Sequence, residues 1–196
     1  MGAIIRFNMY QRIKTMIKGK ASAQITPPNS NKSALPKTDN QAQILLSVET
    51  CYRLAEQQLN KSFPRPEVNF KLRGKSAGTA HLQLNKLRFN ATLLEENPTE
   101  FIAQVVPHEI CHLLAFQLYG RVKPHGKEWQ SLMIRLYQLQ PSTTHNLDIS
   151  SVTGKTYEYQ CDCGPVNLSV RRHNKILRQQ TQYRCRRCSQ TLTQAG

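Results

Sequence analysis

Residues 108–112 read His-Glu-Ile-Cys-His, a pentad in which two imidazoles are four residues apart and a glutamate follows the first. On an α-helix, residues i and i+4 lie on the same face, so His108 and His112 can present ring nitrogens to one tetrahedral metal ion. Glu109 lies about 100° around the helix from His108, where its carboxylate can reach a metal-activated water without binding the metal. The spacing predicts a zinc site that hydrolyses peptide bonds, with Glu109 as general base and acid.

The residues around the pentad predict a helix. Asn97 can cap its start, Pro98 suits a first helical position, and apolar residues follow at helical spacing. Gly120 is placed to end it. Pro107 lies inside this pattern, where it removes one backbone hydrogen bond, so we expect the helix to bend just before the pentad.

A catalytic zinc uses three protein ligands, so the pentad needs a third. His125 is the best candidate, with twelve residues between it and His112. Pro124 predicts the start of a second helix there, which a turn would bring back across the first. The alternatives are His81 in an alternating stretch, His145 in a polar loop and the carboxylate Glu128.

The competing interpretation of the pentad is an amphipathic core helix that carries two histidines by chance. Cys111, inside the pentad, is a candidate nucleophile by residue type. A helix-interior cysteine among apolar neighbours is more often a small buried hydrophobe, and the same holds for Cys51.

Four of the six cysteines form a C-x-C pair and a C-x-x-C pair near the C-terminus, with 21 residues between the pairs: Cys161, Cys163, Cys185 and Cys188. Four thiolates can close a structural zinc site, and residues 166–172 and 182–185 predict a β-hairpin between the pairs. A ribbon knuckle normally has two residues between its cysteines, whereas the first pair has one. His173 as a substitute ligand, a metal-free hairpin and a disulfide or redox pair therefore stay open.

The chain carries a net charge of +15 and a pI near 9.9, which indicates an acidic partner, most plausibly nucleic acid. From Lys155 onward, eight Lys/Arg oppose two acidic residues, which leaves +6 with neutral thiols and +4 with four thiolates on one Zn²⁺. The tail predicts DNA or other nucleic-acid contact without sequence specificity, with tyrosines 157, 159 and 183 as stacking platforms. The candidate contacts are Arg171, Arg172, Lys175, Arg178, Arg184, Arg186 and Arg187. The alternative is a solvated basic face.

Length and composition predict three segments. Residues 1–40 read as a disordered or flexible segment, residues 41–150 as the metal-binding domain and residues 151–196 as a small basic module. The metal-binding domain should contain an amphipathic helix near residue 44 and three short alternating strands between residues 68 and 90. Neither an export signal nor an apolar run of membrane length is visible, so we expect a cytoplasmic protein with no membrane partner, and a monomer by default.

The chain resembles the bacterial SprT proteins on residues 106–114, 120–129, 169–174 and 183–185. These proteins belong to the SprT-like group, which includes the Spartan DNA-protein-crosslink proteases, and the resemblance covers about residues 40–193. It implies a zinc-binding domain whose ligands match His108, His112 and His125 and whose catalytic glutamate matches Glu109, followed by a zinc-ribbon-like module. The expected fold is α+β: a helical, zincin-like metal domain with a small antiparallel sheet, then the β module.

The resulting hypothesis is a zinc metalloendopeptidase that hydrolyses peptide bonds, in particular those of DNA-associated proteins. One Zn²⁺ would bind at the pentad and a second at the cysteine cluster. The leading alternative is a non-catalytic nucleic-acid-binding protein that uses zinc only for folding. A scaffold that recruits proteins through its sheet edge is a third possibility.

Overall fold

The computed structural model describes residues 35–194 of the chain. The chain divides into two compact units, one that ends at Ile149 and one that begins at Ser150. Residues 1–34 of the predicted flexible segment, residues 1–40, lie outside the described residues. Its last residues belong to the folded part, because the first helix begins at Asp39.

The described part of the first unit combines helices with one small sheet. Its helices are α1 (Asp39–Leu59), α2 (Ala91–Glu96), α3 (Pro98–Glu100), α4 (Val106–Tyr119) and α5 (Lys127–Tyr137). Its strands are β1 (Glu67–Asn69), β2 (Gly78–His81) and β3 (Lys86–Phe89), with a 3₁₀ turn, Leu82–Leu84, between the last two.

Helix α1 supports the two helices that carry the pentad and its partner. It begins at Thr38, whose hydroxyl accepts a hydrogen bond from the Gln41 backbone N–H at 3.2 Å and so satisfies a free donor of the first turn. The hydroxyl of Tyr137 in α5 donates to the Cys51 carbonyl at 3.1 Å. The apolar face of α1 is buried and consists of Ile44, Val48, Cys51, Tyr52 and Ala55.

The sheet has the order β1–β3–β2. The α+β class is as predicted, and β2 pairs antiparallel with β3, with Ala80 opposite Leu87. The structure corrects one part of the prediction, because β1 runs parallel to β3, with Val68 opposite Leu87. The chain leaving β1 crosses to the far edge of the sheet to form β2 and then turns back, so β3 returns between the two in the direction of β1.

Residues Pro98–Tyr119 form one helical stretch of 22 residues. A π-helical turn, Phe101–Val105, joins α3 to α4, and in it the Val106 N–H bonds to the carbonyl five residues earlier. Pro107 follows in the first turn of α4, where a missing N–H costs little. The π-helical turn thus lies directly before this proline, at the position where the sequence predicts a bend. By length and composition this helix could cross a membrane, but 67% of its most apolar 18-residue window is buried inside the protein, as in a core helix.

The described part of the second unit is a three-stranded antiparallel sheet with one α-helix, preceded by a 3₁₀ turn, Ser150–Val152. Its elements are β4 (Thr156–Cys161), β5 (Gly164–Ser169), α6 (Val170–Leu177) and β6 (Thr193–Gln194), in the sheet order β5–β4–β6. Its small core consists of Tyr159, Leu168, Cys185 and Leu192.

Two predictions for the second unit are wrong in detail. The alternating stretch 166–172 is a strand only up to Ser169 and then becomes α6. The returning strand predicted over 182–185 is a single bridge between Arg184 and Thr191. Over so short a run, the apolar patterns of a strand and of a helix are nearly the same. In the structure the helix buries His173 on the inner face of α6.

Candidate metal centre

Helix α4 places the first two histidines of the site one turn apart on the same face. The Nε2 atoms of His108 and His112 are 3.2 Å apart. His125 lies outside the helices, in the turn between α4 and α5, and its Nε2 is 3.1 Å from each of the other two. The three ring nitrogens therefore form a nearly equilateral triangle.

Hydrogen bonding alone cannot hold these three nitrogens together. The Nε2 of a neutral imidazole is either a donor or an acceptor, so at least one of the three contacts brings two like groups together. A cation in front of the triangle removes this conflict, because all three lone pairs can then point at one ion. Zinc–nitrogen distances of about 2.0–2.1 Å separate the nitrogens of a tetrahedral site by about 3.3 Å. The spacing thus fits Zn²⁺.

The protein environment keeps these imidazoles neutral, which is the form that binds metals. Burial, with His112 nearby, lowers the pKa of His108 to about 3. Burial also lowers the pKa of His112 to about 4 and displaces the pKa of His125 downward. Near neutral pH the three side chains are therefore uncharged and can approach one another closely.

The turn that carries His125 differs from the predicted one. Helix α5 begins at Lys127, so Pro124 precedes the helix instead of starting it. His125 has φ +56°, a left-handed conformation that an α-helix excludes and that is uncommon for a residue with a side chain. The Gln130 side chain donates to the His125 carbonyl at 3.0 Å and holds the turn. This conformation aims the third imidazole at the other two.

Trp129 supports all three histidines. Its ring centroid is 4.8 Å from that of His108, 5.5 Å from that of His112 and 4.7 Å from that of His125. Its indole N–H donates to the His108 backbone carbonyl at 3.2 Å. The side chain is fully buried, so it fixes the histidine rings by packing and ties α5 to α4.

Glu109 lies beside the triangle, buried at 6% exposure. Burial raises the pKa of its carboxyl group to about 8, and a hydrogen bond from the Ala80 backbone N–H opposes that rise. Gly78, also in β2, has no side chain where the glutamate lies: a Cβ there would be 2.7 Å from Glu109 Cγ. Strand β2 therefore orients the carboxylate that was predicted to be the general base.

The alternative third ligands do not join the triangle. His81 is on β2 and Glu128 is in the first turn of α5. His145 packs edge-on against His108 with ring centroids 4.9 Å apart, but the cluster of ligand atoms contains only the other three histidines. Cys51 and Cys111 are fully buried, as predicted, and burial raises the pKa of Cys51 to about 12, which does not suit a nucleophile.

The second unit brings its four cysteines together. The sulfur atoms of Cys161, Cys163, Cys185 and Cys188 all lie within 4.8 Å of one another. The single residue between the first two is no obstacle, because Asp162 and Cys163 form a two-residue hairpin turn closed by the pair Cys161 and Gly164. Gly164 has φ +110°, which a side chain would disfavour.

The backbone around Cys185 favours a thiolate. N–H groups of Cys188 and Arg187 point at its sulfur and lower the pKa of the thiol to about 6. The Arg187 nitrogen is 3.4 Å from that sulfur. Since thiolates are the form that binds zinc, the C-x-x-C turn is prepared for a metal.

His173 does not belong to the cysteine cluster. Its ring stacks on Tyr157 with centroids 3.5 Å apart, and its Nδ1 is 3.0 Å from the Tyr159 hydroxyl. The structure therefore does not support the alternative in which His173 replaces a cysteine ligand. Tyr159 is also wrong as a stacking platform for nucleic acid, because it is fully buried.

Most of the predicted nucleic-acid contacts are exposed. They are Arg171, Arg172, Arg178, Arg184, Arg186 and Arg187, whereas Lys175 is half-buried. Within the described residues none of these seven forms an ion pair with a carboxylate of the protein. The Arg172 guanidinium lies 5.6 Å from the centre of the Tyr183 ring. The positive charge of these side chains is thus not neutralised by carboxylates in the described part of the protein.

The sequence matches the model of the SprT-like family over residues 48–149 and that of the SprT-like zinc ribbon domain over residues 155–196. The chain belongs to the SprT-like family. Protein SprT of Shewanella oneidensis is 58% identical over 155 residues, which are 79% of this chain and 99% of that protein. Protein SprT of Vibrio atlanticus is 48% identical over 159 residues, or 81% and 96%. Protein SprT of Serratia proteamaculans is 44% identical over 162 residues, or 83% and 95%.

Membership in the SprT-like family confirms the resemblance predicted from the sequence. The zinc ribbon match covers all four clustered cysteines, so this SprT-like chain combines a metal-binding fold with a candidate four-cysteine metal site. The SprT-like match covers the pentad and the turn that carries His125.

Sequence reasoning missed two supporting residues of this SprT-like site. One is Gly78, since glycine in or beside a strand often marks a close backbone approach. The other is Trp129, since a buried tryptophan usually needs a partner for its N–H. Both contacts join elements that are distant in sequence, and no local pattern specifies which side chain meets which.

Proposed function

We propose that the protein is a zinc-dependent metalloendopeptidase that hydrolyses peptide bonds. The observation that carries this proposal is the triangle of histidine nitrogens with the buried Glu109 beside it. Three protein ligands leave a coordination position for a reactant, whereas a structural site is closed by four. A buried carboxylate next to such a site is the arrangement that metal-assisted hydrolysis requires.

The chain's own residues supply binding and proton transfer. A zinc ion held by the three histidines would polarise a carbonyl and lower the pKa of a water molecule to about 7. Glu109 takes a proton from that water on a carboxylate oxygen and later gives it to the nitrogen of the leaving amine. In the metal-free chain burial raises the pKa of Glu109 to about 8, and the charge of a bound Zn²⁺ would favour the carboxylate form that accepts the proton.

Strand β2 offers a way to align an extended substrate. Within the described residues it has β3 as its single neighbour, so its other edge is available for pairing. The Ala80 N–H on that edge reaches Glu109. A peptide that adds to this edge would therefore run past the catalytic glutamate, and binding through the main chain needs no particular side chains.

The exposed arginines of the second unit support nucleic acid as a partner, contacted through phosphates without base specificity. The proposed substrates are therefore proteins bound to DNA. The reduced, clustered thiols favour the cytoplasm as the site of action. The candidate zinc-ribbon site would hold this basic surface together rather than take part in the reaction.

A Glu109→Gln variant tests the peptidase. It should retain zinc at the histidines and lose proteolysis by about 10²–10⁴-fold, the contribution of a general base. Glu100→Gln makes the same change at an exposed position of the same helical stretch and should keep full activity. Equal proteolysis by the two variants would reject the mechanism and leave a non-catalytic zinc protein that binds nucleic acid.

Salt-dependent DNA binding tests the partner. Replacing Arg171, Arg172 and Arg178 with Gln should weaken binding to several unrelated DNA sequences equally and reduce the slope of log affinity against log salt. A matched variant changes three exposed basic residues of the first unit, Lys71, Arg73 and Lys75, and carries the same net charge. If both variants bind alike, overall charge rather than this surface governs the interaction.

A further inference from the structure

A cavity of about 300 Å³ lies next to the histidine triangle in the first unit. His108 forms part of its wall, so the cavity opens onto one of the three imidazoles. Its lining residues are Ala103, Gln104, His108, Met133, Leu139, Gln140, Ser142 and His145.

Besides His108 of α4, three parts of the fold build this cavity. The π-helical turn supplies Ala103 and Gln104, which are partly exposed although their neighbours in the turn are buried. Helix α5 supplies Met133, and the chain after α5 supplies the remaining wall, including His145. A π-helical turn adds one residue to a helical turn and shifts the side chains around it, and such turns are frequent at functional sites. Here it faces the cavity beside His108.

The chain after α5 is fixed in place at two points. The Ser142 hydroxyl donates to the Thr144 carbonyl at 2.7 Å, which forms a turn just before His145. Asn97 then anchors the end of the segment, because its side chain accepts from the Asp148 N–H at 3.2 Å and donates to the Asp148 carbonyl at 3.3 Å. The cavity wall is therefore a defined surface.

The size and chemistry of the cavity select its occupant. It has the volume of about ten water molecules at roughly 30 Å³ each, the lower end of the range for ligand sites. Among the described residues, no lysine, arginine, aspartate or glutamate lines it. Ala103, Met133 and Leu139 offer apolar surface, and the polar lining groups are neutral amides, a hydroxyl and imidazoles. It therefore suits one uncharged, largely apolar side chain, such as leucine, methionine or phenylalanine.

We propose that this cavity is the subsite that receives the substrate side chain next to the scissile bond, with Ala103 and Leu139 as the residues that determine its size. The proposal rests on the proposed peptidase function. His108 belongs both to the cavity wall and to the triangle, so a peptide held at the triangle has a neighbouring side chain within reach of the cavity. A charged side chain there would lose its hydration without gaining a partner.

Non-cleavable peptide hydroxamates test this subsite without measuring proteolysis. The ligands share one sequence and differ at one position, which carries Gly, Leu, Phe or Asp beside the metal-binding hydroxamate. Their affinity for the zinc-loaded full chain is measured by calorimetry. The Leu ligand should bind roughly tenfold or more tightly than the Gly ligand, the usual range for a filled apolar pocket, and the Asp ligand should bind no better than Gly.

Two variants change the cavity in opposite directions. Ala103→Leu should narrow it and reduce the preference for Leu over Gly, and Leu139→Ala should enlarge it and shift the preference towards Phe. Ile134→Ala, on the exposed face of α5 at 52% exposure, is the control and should leave all ratios unchanged. Since the two variants act at different elements, misfolding of one leaves the other as a test.

Equal affinities for the Gly and Leu ligands in the natural protein, or ratios that neither cavity variant alters, would overturn the subsite. Lack of binding by any hydroxamate to the zinc-loaded chain would also overturn it. Side-chain selectivity in a protein that cleaves no peptide, with Glu109→Gln indistinguishable from the natural chain, would reject the peptidase alone and establish the cavity as a side-chain binding site.

Discussion

Glu109 and Gly78 are in direct contact: a Cβ on Gly78 would lie 2.7 Å from Cγ and 3.0 Å from Oε1 of the glutamate. Real Cβ atoms essentially never approach so closely. The position of the carboxylate on α4 thus depends on the absence of a side chain on β2. A residue of the sheet thereby determines where the proposed general base lies.

Gly78→Ala should displace the Glu109 carboxylate while leaving the three histidines in place. We expect kcat to fall at least tenfold, because small misplacements of a catalytic group have large effects on rate, and zinc content to stay unchanged. Gly154→Ala is the control, since nothing lies within 4 Å of a Cβ built there. Steady-state kinetics with zinc analysis decide the outcome, and unaltered kcat in Gly78→Ala would show that the contact does not position the base.

Glu109 should also affect the pH dependence of stability in the metal-free protein. Its folded-state pKa, about 8, is above its ordinary value of 4.5. Between these values the folded chain binds a proton that the unfolded chain has released, so this group lowers stability as the pH rises from about 5 to 8. Glu109→Gln removes the titrating carboxyl group and with it this pH-dependent loss of stability. Each pKa unit corresponds to about 1.4 kcal/mol, so the variant should gain stability relative to the natural chain with increasing pH.

Urea unfolding of zinc-free natural protein and Glu109→Gln at pH 5 and pH 8 measures this difference. The difference in unfolding free energy between the two proteins should be larger at pH 8. The histidines, whose pKa values are lowered by burial, titrate in both proteins and therefore cancel in the comparison. A difference that is the same at both pH values would show that Glu109 titrates near its ordinary value.

The sequence was sufficient to predict the residues that meet at the triangle because one helical turn places His108 and His112 together wherever the helix lies. His125 was predicted from its position after the turn, but its left-handed backbone was not. That conformation is imposed by packing against Trp129 and by the Gln130 hydrogen bond. Both partners are within five residues of His125, but the spacing of residue types does not specify which side chains contact the turn.

The strand directions were harder to predict than the strands themselves. Alternating residues identify β1, β2 and β3 individually, but the same alternation fits a parallel or an antiparallel neighbour. In the second unit the four cysteines were recognised by spacing, whereas helix α6 was missed. Its eight residues follow directly on a strand. So short a run does not show whether apolar residues recur at the spacing of a strand or of a helix.

Trp129 should report metal binding at the histidines. It is the only tryptophan in the sequence, and its ring lies within 5.5 Å of all three imidazoles, measured between centroids. Adding Zn²⁺ to the metal-free chain should change its fluorescence intensity in a saturable way. In His125→Ala the same change should require a higher zinc concentration. His81→Ala, outside the triangle, is the control and should give the same zinc titration as the natural protein. If the natural protein, His125→Ala and His81→Ala all give the same titration, the fluorescence change does not report zinc binding at the histidines.

The two clusters should bind zinc independently. The full chain should hold two zinc ions by elemental analysis, and Cys185→Ser should hold one, because it removes the thiol whose pKa is lowered to about 6. The fluorescence titration of Trp129 in Cys185→Ser should match that of the natural chain, since the remaining ion is bound by histidines. Cys51→Ser changes a fully buried thiol outside the cluster and should retain two ions. A chain that holds one zinc and loses it in Cys185→Ser would limit metal binding to the ribbon.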